Sequence, residues 1–397
     1  MSQRGLQASD ARLLKLALLQ NAQLSVLKLG YNKLGDYGMS ILSEAVKNHK
    51  ALRTLDVGFN QIGDRGCQDI AAALAGPSSG LQTLYLAGNS IGESGALALA
   101  AMIKGGQSRS LKRLHLTANR IGDRGVQAIT EAIIFSGQSM EGREPCSYSP
   151  SVSSAKSLTS DVLDGKESEE DDEHCSYGMR ELFIGGCDLS MEGCQAVSDM
   201  IASNTSLRVI SLSDNNIGDS EAAVLAKALS ANKDEFSLEA LQLSFNNLTC
   251  IGVESLMNSI WGSKTLKEVR LDNNKIGDRG AQLVAVVLTS TDLEILDIGF
   301  NNITSVGMKA LMKLIAENKS LKSLSISGNR LDTVGSKAVA FALAYNRSLR
   351  SVFIDKCSMG YAAQRQIAAG IVSNSGTCLQ IVTGFRLGGK FNLCAIL

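Results

Sequence analysis

Leu24-Ser25-Val26-Leu27-Lys28-Leu29-Gly30-Tyr31-Asn32-Lys33-Leu34 decides the fold. Leu27 and Leu29 alternate with Lys28, as apolar residues do in a short strand with one buried face, and Asn32 stands where the chain leaves that strand. The frame returns as Leu52, Leu55, Val57, Asn60 and Ile62, as Leu81, Leu84, Leu86, Asn89 and Ile91, and as Leu111, Leu114, Leu116, Asn119 and Ile121. It continues through Asn215, Asn246, Asn274, Asn301 and Asn329, with Cys187 and Cys357 in the Asn slot of two more copies, eleven in all. Neighbouring slots lie 27 to 31 residues apart, except that 68 separate Asn119 from Cys187. Something is inserted there.

After each strand pattern the apolar spacing turns helical. Gly63-Asp64-Arg65-Gly66, Gly122-Asp123-Arg124-Gly125 and Gly277-Asp278-Arg279-Gly280 place an Asp where a helix N-cap is wanted, and Ser305 and Thr333 hold that slot in later copies. One strand and one helix cannot bury their apolar faces alone, so the copies must stack, strands in a parallel sheet and helices outside it. Helices are wider than the strand spacing of about 4.8 Å, which bends the stack with the sheet inside, a concave arc of about 50 Å for eleven strands. The expected fold class is therefore α/β, a solenoid of about eleven strand-helix repeats with a parallel concave sheet and helices on the convex side. Its predicted divisions are a capping helix over 1–23, repeats one to four over 24–136, an insertion over 137–177, repeats five to eleven over 178–378, and a closing strand and tail over 379–397.

These copies, with their glycine-acid helix starts, resemble the ribonuclease-inhibitor-like subfamily of leucine-rich repeats, the repeat type of NOD-like receptors and of GTPase-activating proteins for Ran. The resemblance covers about nine tenths of the chain. It implies a horseshoe whose Asn side chains bond neighbouring loop backbones, and a concave face that binds another protein. It also implies that the thiols of Cys187 and Cys357 donate to backbone carbonyls in place of the Asn amide.

Thirty-nine basic and 39 acidic residues cancel, so no overall field attracts nucleic acid, and partners must be selected locally. No secretory signal opens the sequence, and nine irregularly spaced cysteines suit reduced, buried thiols, so the expected location is the cytoplasm, not the secreted space. A monomer is expected. No CxxC pair or His cluster suggests a metal, no cofactor is expected, and GxxxxGK[ST], GxSxG and HExxH are absent. Because the repeat accounts for nearly every residue, the chain reads as a scaffold or adaptor and not an enzyme. The alternatives are an inhibitor of a partner enzyme and an activator of the Ran GTPase, for which Arg65 would be the available arginine.

The residue between the second and third core positions of each strand points away from the core. In order these are Lys28, Asp56, Tyr85, His115, Phe183, Ser211, Gln242, Arg270, Asp297, Ser325 and Phe353. Tyr85, His115 and Phe183 are consecutive, with Arg113 and Glu181 one row away, and aromatics and Arg are preferred hot-spot residues of interfaces. These five are the candidate partner-binding residues. Tyr31, Phe59, Phe245 and Phe300 form a second series beside the key Asn and are expected to pack along the loops.

The insertion differs in kind. It is Ser-rich, holds Pro145, Pro150 and the run Glu169 to Glu173, and is expected to be disordered. Residues 137–177 carry ten acids and three bases, a net minus seven, so the rest carries plus seven against the overall zero. Ser168 precedes three acidic residues and is a candidate phosphorylation site; a plain solvated loop is the other reading. The sequence ends Cys394-Ala395-Ile396-Leu397, a C-a-a-X pattern whose Leu suits geranylgeranylation of Cys394 and peripheral membrane association; an apolar cap over the last repeat reads the same residues equally well.

Overall fold

The computed structural model describes residues 2–76, 80–105, 110–138, 178–203, 206–231, 237–374, 379 and 381–383. Twelve three-residue strands run parallel, and their spatial order is their order in the chain. They are β1 (Val26–Lys28), β2 (Thr54–Asp56), β3 (Thr83–Tyr85), β4 (Arg113–His115), β5 (Glu181–Phe183), β6 (Val209–Ser211), β7 (Ala240–Gln242), β8 (Glu268–Arg270), β9 (Ile295–Asp297), β10 (Ser323–Ser325), β11 (Ser351–Phe353) and β12 (Ile381–Thr383). Eleven belong to the repeats, and β12 adds a closing strand on β11. β1 and β12 do not pair, so the sheet is open.

A helix precedes β1 and one follows each of the first eleven strands. They are α1 (Ala11–Gln20), α2 (Gly35–Val46), α3 (Asp64–Leu74), α4 (Glu93–Lys104), α5 (Gly122–Gln138), α6 (Met191–Ser203), α7 (Asp219–Ala231), α8 (Cys250–Ile260), α9 (Gly277–Val287), α10 (Ser305–Ile315), α11 (Thr333–Tyr345) and α12 (Tyr361–Ser373). Each packs on its sequence neighbours, forming one layer. Between the layers runs one continuous core, to which each repeat supplies its leucine-frame residues, such as Leu55, Val57 and Ile62, and inward helix residues such as Ile70 and Leu74.

Two hydrogen-bond ladders tie the repeats together. On the strand side Asn329 is typical: Nδ2 donates to Ile298 O at 2.9 Å and Ile326 O at 3.0 Å, while Oδ1 accepts from Asn301 N and Ile303 N of the preceding repeat. Cys187 continues this ladder with Sγ donating to Leu116 O at 3.4 Å and Gly185 O at 3.5 Å, and Cys357 donates to Ile326 O and Asp355 O at 3.5 Å. Burial pushes their thiols up to about 12 and about 11, so both stay protonated and can donate.

The second ladder corrects an expectation. Asp64, Asp123 and Asp278 make no cap for their own helices; each carboxylate caps the helix of the next repeat. Asp64 Oδ1 accepts from Gly92 N at 2.7 Å and Gly95 N at 2.9 Å at the start of α4, and Asp36, Asp123, Asp219 and Asp278 do the same for α3, α6, α8 and α10. A Cβ on Gly95 would sit 2.9 Å from Asp64 Oδ1, so glycine there lets the carboxylate close on the helix end. Ser305 and Thr333 are likewise one residue past the cap. Thr304 and Asp332 are the capping residues, accepting from Val306 N and from Val334 N and Gly335 N.

All eleven residues preceding the Asn slot have positive φ, from 52° at Phe300 to 69° at Gly328. Glycine fills that left-handed slot at 88, 186 and 328, yet Tyr31, Phe59, Phe245 and Phe300 also occupy it, at a backbone cost of roughly 1 kcal/mol each. Three of them pack as expected: Tyr31 lies parallel on Phe59 with centroids 4.4 Å apart, and Phe59 and Phe300 lie over Gly88 and Gly328. All four nevertheless remain exposed, Phe245 most of all at 57%.

Candidate protein-binding face

The register β3–β4–β5 pairs Thr83 with Arg113 and Arg113 with Glu181, and Tyr85 with His115 and His115 with Phe183. Leu84, Leu114 and Leu182 face the core, so by strand alternation the other residues stand on the face opposite the helices. The structure therefore brings together all five candidate residues, and three of them in contact. Tyr85 and His115 stack with ring centroids 4.1 Å apart and planes 23° off parallel, and His115 and Phe183 stack at 4.1 Å and 10°. The 68-residue separation of His115 and Phe183 in sequence leaves no break in the stack.

The sandwiched imidazole is neutral. Burial, reinforced by the Arg113 charge, lowers its pKa to about 3, and its Nε2 has no hydrogen-bond partner among the described residues. Arg113 is held in place by donating from Nε to Thr83 Oγ1 at 2.8 Å. The site thus offers three fixed, half-buried rings of which none is charged at neutral pH, bordered by a guanidinium and a carboxylate. Stacked rings use their faces on one another and present their edges to a partner.

Further along the same face a polar network stands at β7–β9 that sequence reasoning did not single out. Glu268 is almost fully buried and accepts on Oε1 from Arg270 Nε at 2.5 Å and Gln242 Nε2 at 2.9 Å. Beside it, burial and the neighbouring Asp272 raise Asp297 to about 6 against the hydrogen bond from Gly299 N. Arg270 and Asp297 stand in the outward series of the sequence, but their burial depends on neighbouring strands and on Asp272 of the loop after β8.

Arg65 lies exposed in the first turn of α3, and Arg124 and Arg279 hold its slot in other repeats. Ser168 and Cys394 lie outside the described residues, as does most of the insertion. Among the described residues no group of His, Cys, Asp and Glu is arranged to hold a metal ion, and no helix is long and apolar enough to cross a membrane.

Comparison with known proteins agrees with the geometry. The leucine-rich repeat family model matches eight segments, residues 49–71, 79–100, 107–129, 203–226, 236–257, 262–285, 289–312 and 317–340. The chain is built of leucine-rich repeats. It is 28% identical over 144 residues to the ribonuclease inhibitor of Sus scrofa, covering 36% of this chain and 31% of that protein. It is 25% identical over 275 residues to the NACHT, LRR and PYD domains-containing protein 12 of Mus musculus, covering 68% of this chain and 24% of that one. The matched part spans about a third of the curated inhibitors and less of the larger proteins. Both likenesses are consistent with the ribonuclease-inhibitor-like subfamily. Among solved structures an internalin of Listeria monocytogenes superposes with a TM-score of 0.47 at 18% identity, covering 92% of this chain and 82% of the internalin.

Proposed function

We propose that this leucine-rich-repeat chain is a non-catalytic scaffold that binds a protein partner on the face of the sheet opposite the helices, with the Tyr85, His115 and Phe183 stack as the centre of contact. The observation that carries it is the stack itself: three half-buried rings, locked by mutual contact, on a surface where no backbone requirement calls for aromatics. Rigid aromatics lose little entropy on binding, and Arg113 and Glu181 at the border supply charge-specific contacts. The inhibitor of Sus scrofa is named for an enzyme it inhibits, and a partner enzyme is one form the ligand of this face takes. Such a scaffold acts in the cytoplasm as a monomer.

The experiment is affinity capture from a eukaryotic extract, with the wild-type chain and a Tyr85→Ala, Phe183→Ala double variant side by side, each checked for unchanged melting. The expected result is a partner retained by the first and lost from the second. Identical partner sets would remove the stack from the binding surface.

A further inference from the structure

Along the rim where the chain leaves β5 to β8, the loops enclose a groove lined by Asp188, Asp214, Asn216, Phe245, Asn247 and Asn273, together with core-slot neighbours. Asp188 and Asp214 are exposed, and among the described residues neither pairs with a cation. Lys275, at the far edge, turns its ammonium to Asn247 Oδ1 at 2.8 Å. Asn273 Nδ2 donates to Asp272 Oδ2 at 2.8 Å, so a third carboxylate stands directly behind the groove.

Phe245 is the unusual member. It holds φ at 55° in a slot that glycine fills without strain in three other repeats, and it exposes 57% of its surface. Unlike Tyr31 and Phe59, which stack on each other, and Phe300, which carries the Lys356 ammonium 5.6 Å from its centroid, it has no ring or cation partner among the described residues. The groove is locally acidic although the chain outside residues 137–177 is net positive by seven. The amide oxygens of Asn216 and Asn247 are taken by Asn247 Nδ2 and Lys275 Nζ, which leaves two carboxylates without a cation and an open ring face. These match one class of group: a planar cation able to fork two carboxylates and stack on a ring. An ammonium matches the charge but not the plane.

We propose that this groove is a binding site for an arginine side chain of a protein partner, with the guanidinium set between Asp188 and Asp214 and flanked by Phe245. It lies apart from the Tyr85, His115 and Phe183 stack and does not depend on that stack being a contact surface.

The test uses the whole chain and fluorescein-labelled hexa-arginine, hexa-lysine and hexa-glutamate peptides, followed by fluorescence anisotropy at low salt. Hexa-arginine is expected to bind at least threefold more tightly than hexa-lysine, and hexa-glutamate not to bind. Asp188→Asn with Asp214→Asn, and separately Phe245→Gly, which suits the backbone of that slot, are each expected to weaken hexa-arginine at least fivefold. Asp69→Asn with Asp199→Asn on the helix layer, and Tyr85→Ala with Phe183→Ala, are expected to leave it unchanged. Equal affinity for the two basic peptides, no loss in the groove variants, or the same loss in the helix-layer pair would overturn the assignment. Loss in the Tyr85, Phe183 variant alone would move the cation site to the stack.

Discussion

Replacing Asn329 by alanine tests how the repeats hold together. Its side chain is fully buried, with Nδ2 bonds of 2.9 and 3.0 Å to Ile298 O and Ile326 O and Oδ1 bonds of 3.0 and 3.1 Å from Asn301 N and Ile303 N. Alanine leaves Ile298 O and two amides without these partners in a dry interior, and leaves Ile326 O with only the weak donation of the Cys357 thiol. At roughly 1 kcal/mol net for each bond the loss is about 4 kcal/mol, set at the β9–β10 junction because a solenoid's stability is a sum over neighbouring repeats. Asn329→Cys reproduces what Cys357 does one repeat later, keeping two weak donations and losing only the acceptor, so about 2 kcal/mol is expected. Hydrogen exchange read on the amides of Asn301 and Ile303 reports the local loss, and urea unfolding reports the global one. A cost for alanine below about 1 kcal/mol, or a cysteine variant no better than alanine, would refute the assignment of junction stability to these bonds.

Asp64→Ala should cost about 1 to 2 kcal/mol through the start of α4, whereas Glu93→Ala, in the same slot but accepting no bond from the start of α5, should be near neutral; equal effects in urea unfolding would contradict the inter-repeat cap. Asp297 holds its proton more tightly in the folded chain than its ordinary 3.8 allows. Its stabilising contribution is therefore present below that value and lost as pH rises through about 6. Asp297→Asn should accordingly exceed the wild type by about 1 to 2 kcal/mol at pH 7.5, after allowance for solvent at the partly buried carboxylate, with the gap narrowing as pH falls through about 6 and closing below 3.8 in thermal melts.

The repeat frame was legible because each copy obeys the same local physics: an alternating strand, a slot for a bonding side chain, then a helix. The ordering of Tyr85, His115 and Phe183 was legible for a related reason, since in-register parallel strands set equivalent positions side by side whatever lies between them in sequence. The Asp slot misled because capping rules look for a partner two or three residues away. Asp64 finds its partners 28 and 31 residues on, in a helix whose position only the stacked fold defines. Gly88, Gly186 and Gly328 signalled a left-handed slot, but the aromatics sharing it hid the signal. Asp297 shows no trace in sequence of its shifted pKa, which arises from burial and from Asp272 on the adjoining repeat.

The junction interrupted by the insertion is where stability and recognition meet. Between repeats four and five the ladder passes through Cys187, whose thiol donates over 3.4 Å and has no oxygen to accept two amides as Asn Oδ1 does elsewhere. Two other contacts close the same gap: Asp123 accepts from Ser190 N and Gly193 N across 67 and 70 residues of chain, and the His115 ring lies on Phe183. The rings proposed to meet a partner therefore also join the two halves of the sheet at a rung whose thiol donates but does not accept. A partner bound across Tyr85, His115 and Phe183 would add its contacts to that junction and should slow exchange of the Leu116 and Gly122 amides, which bond to Phe183 O and Cys187 O across it. Binding confined to one half would leave them unchanged.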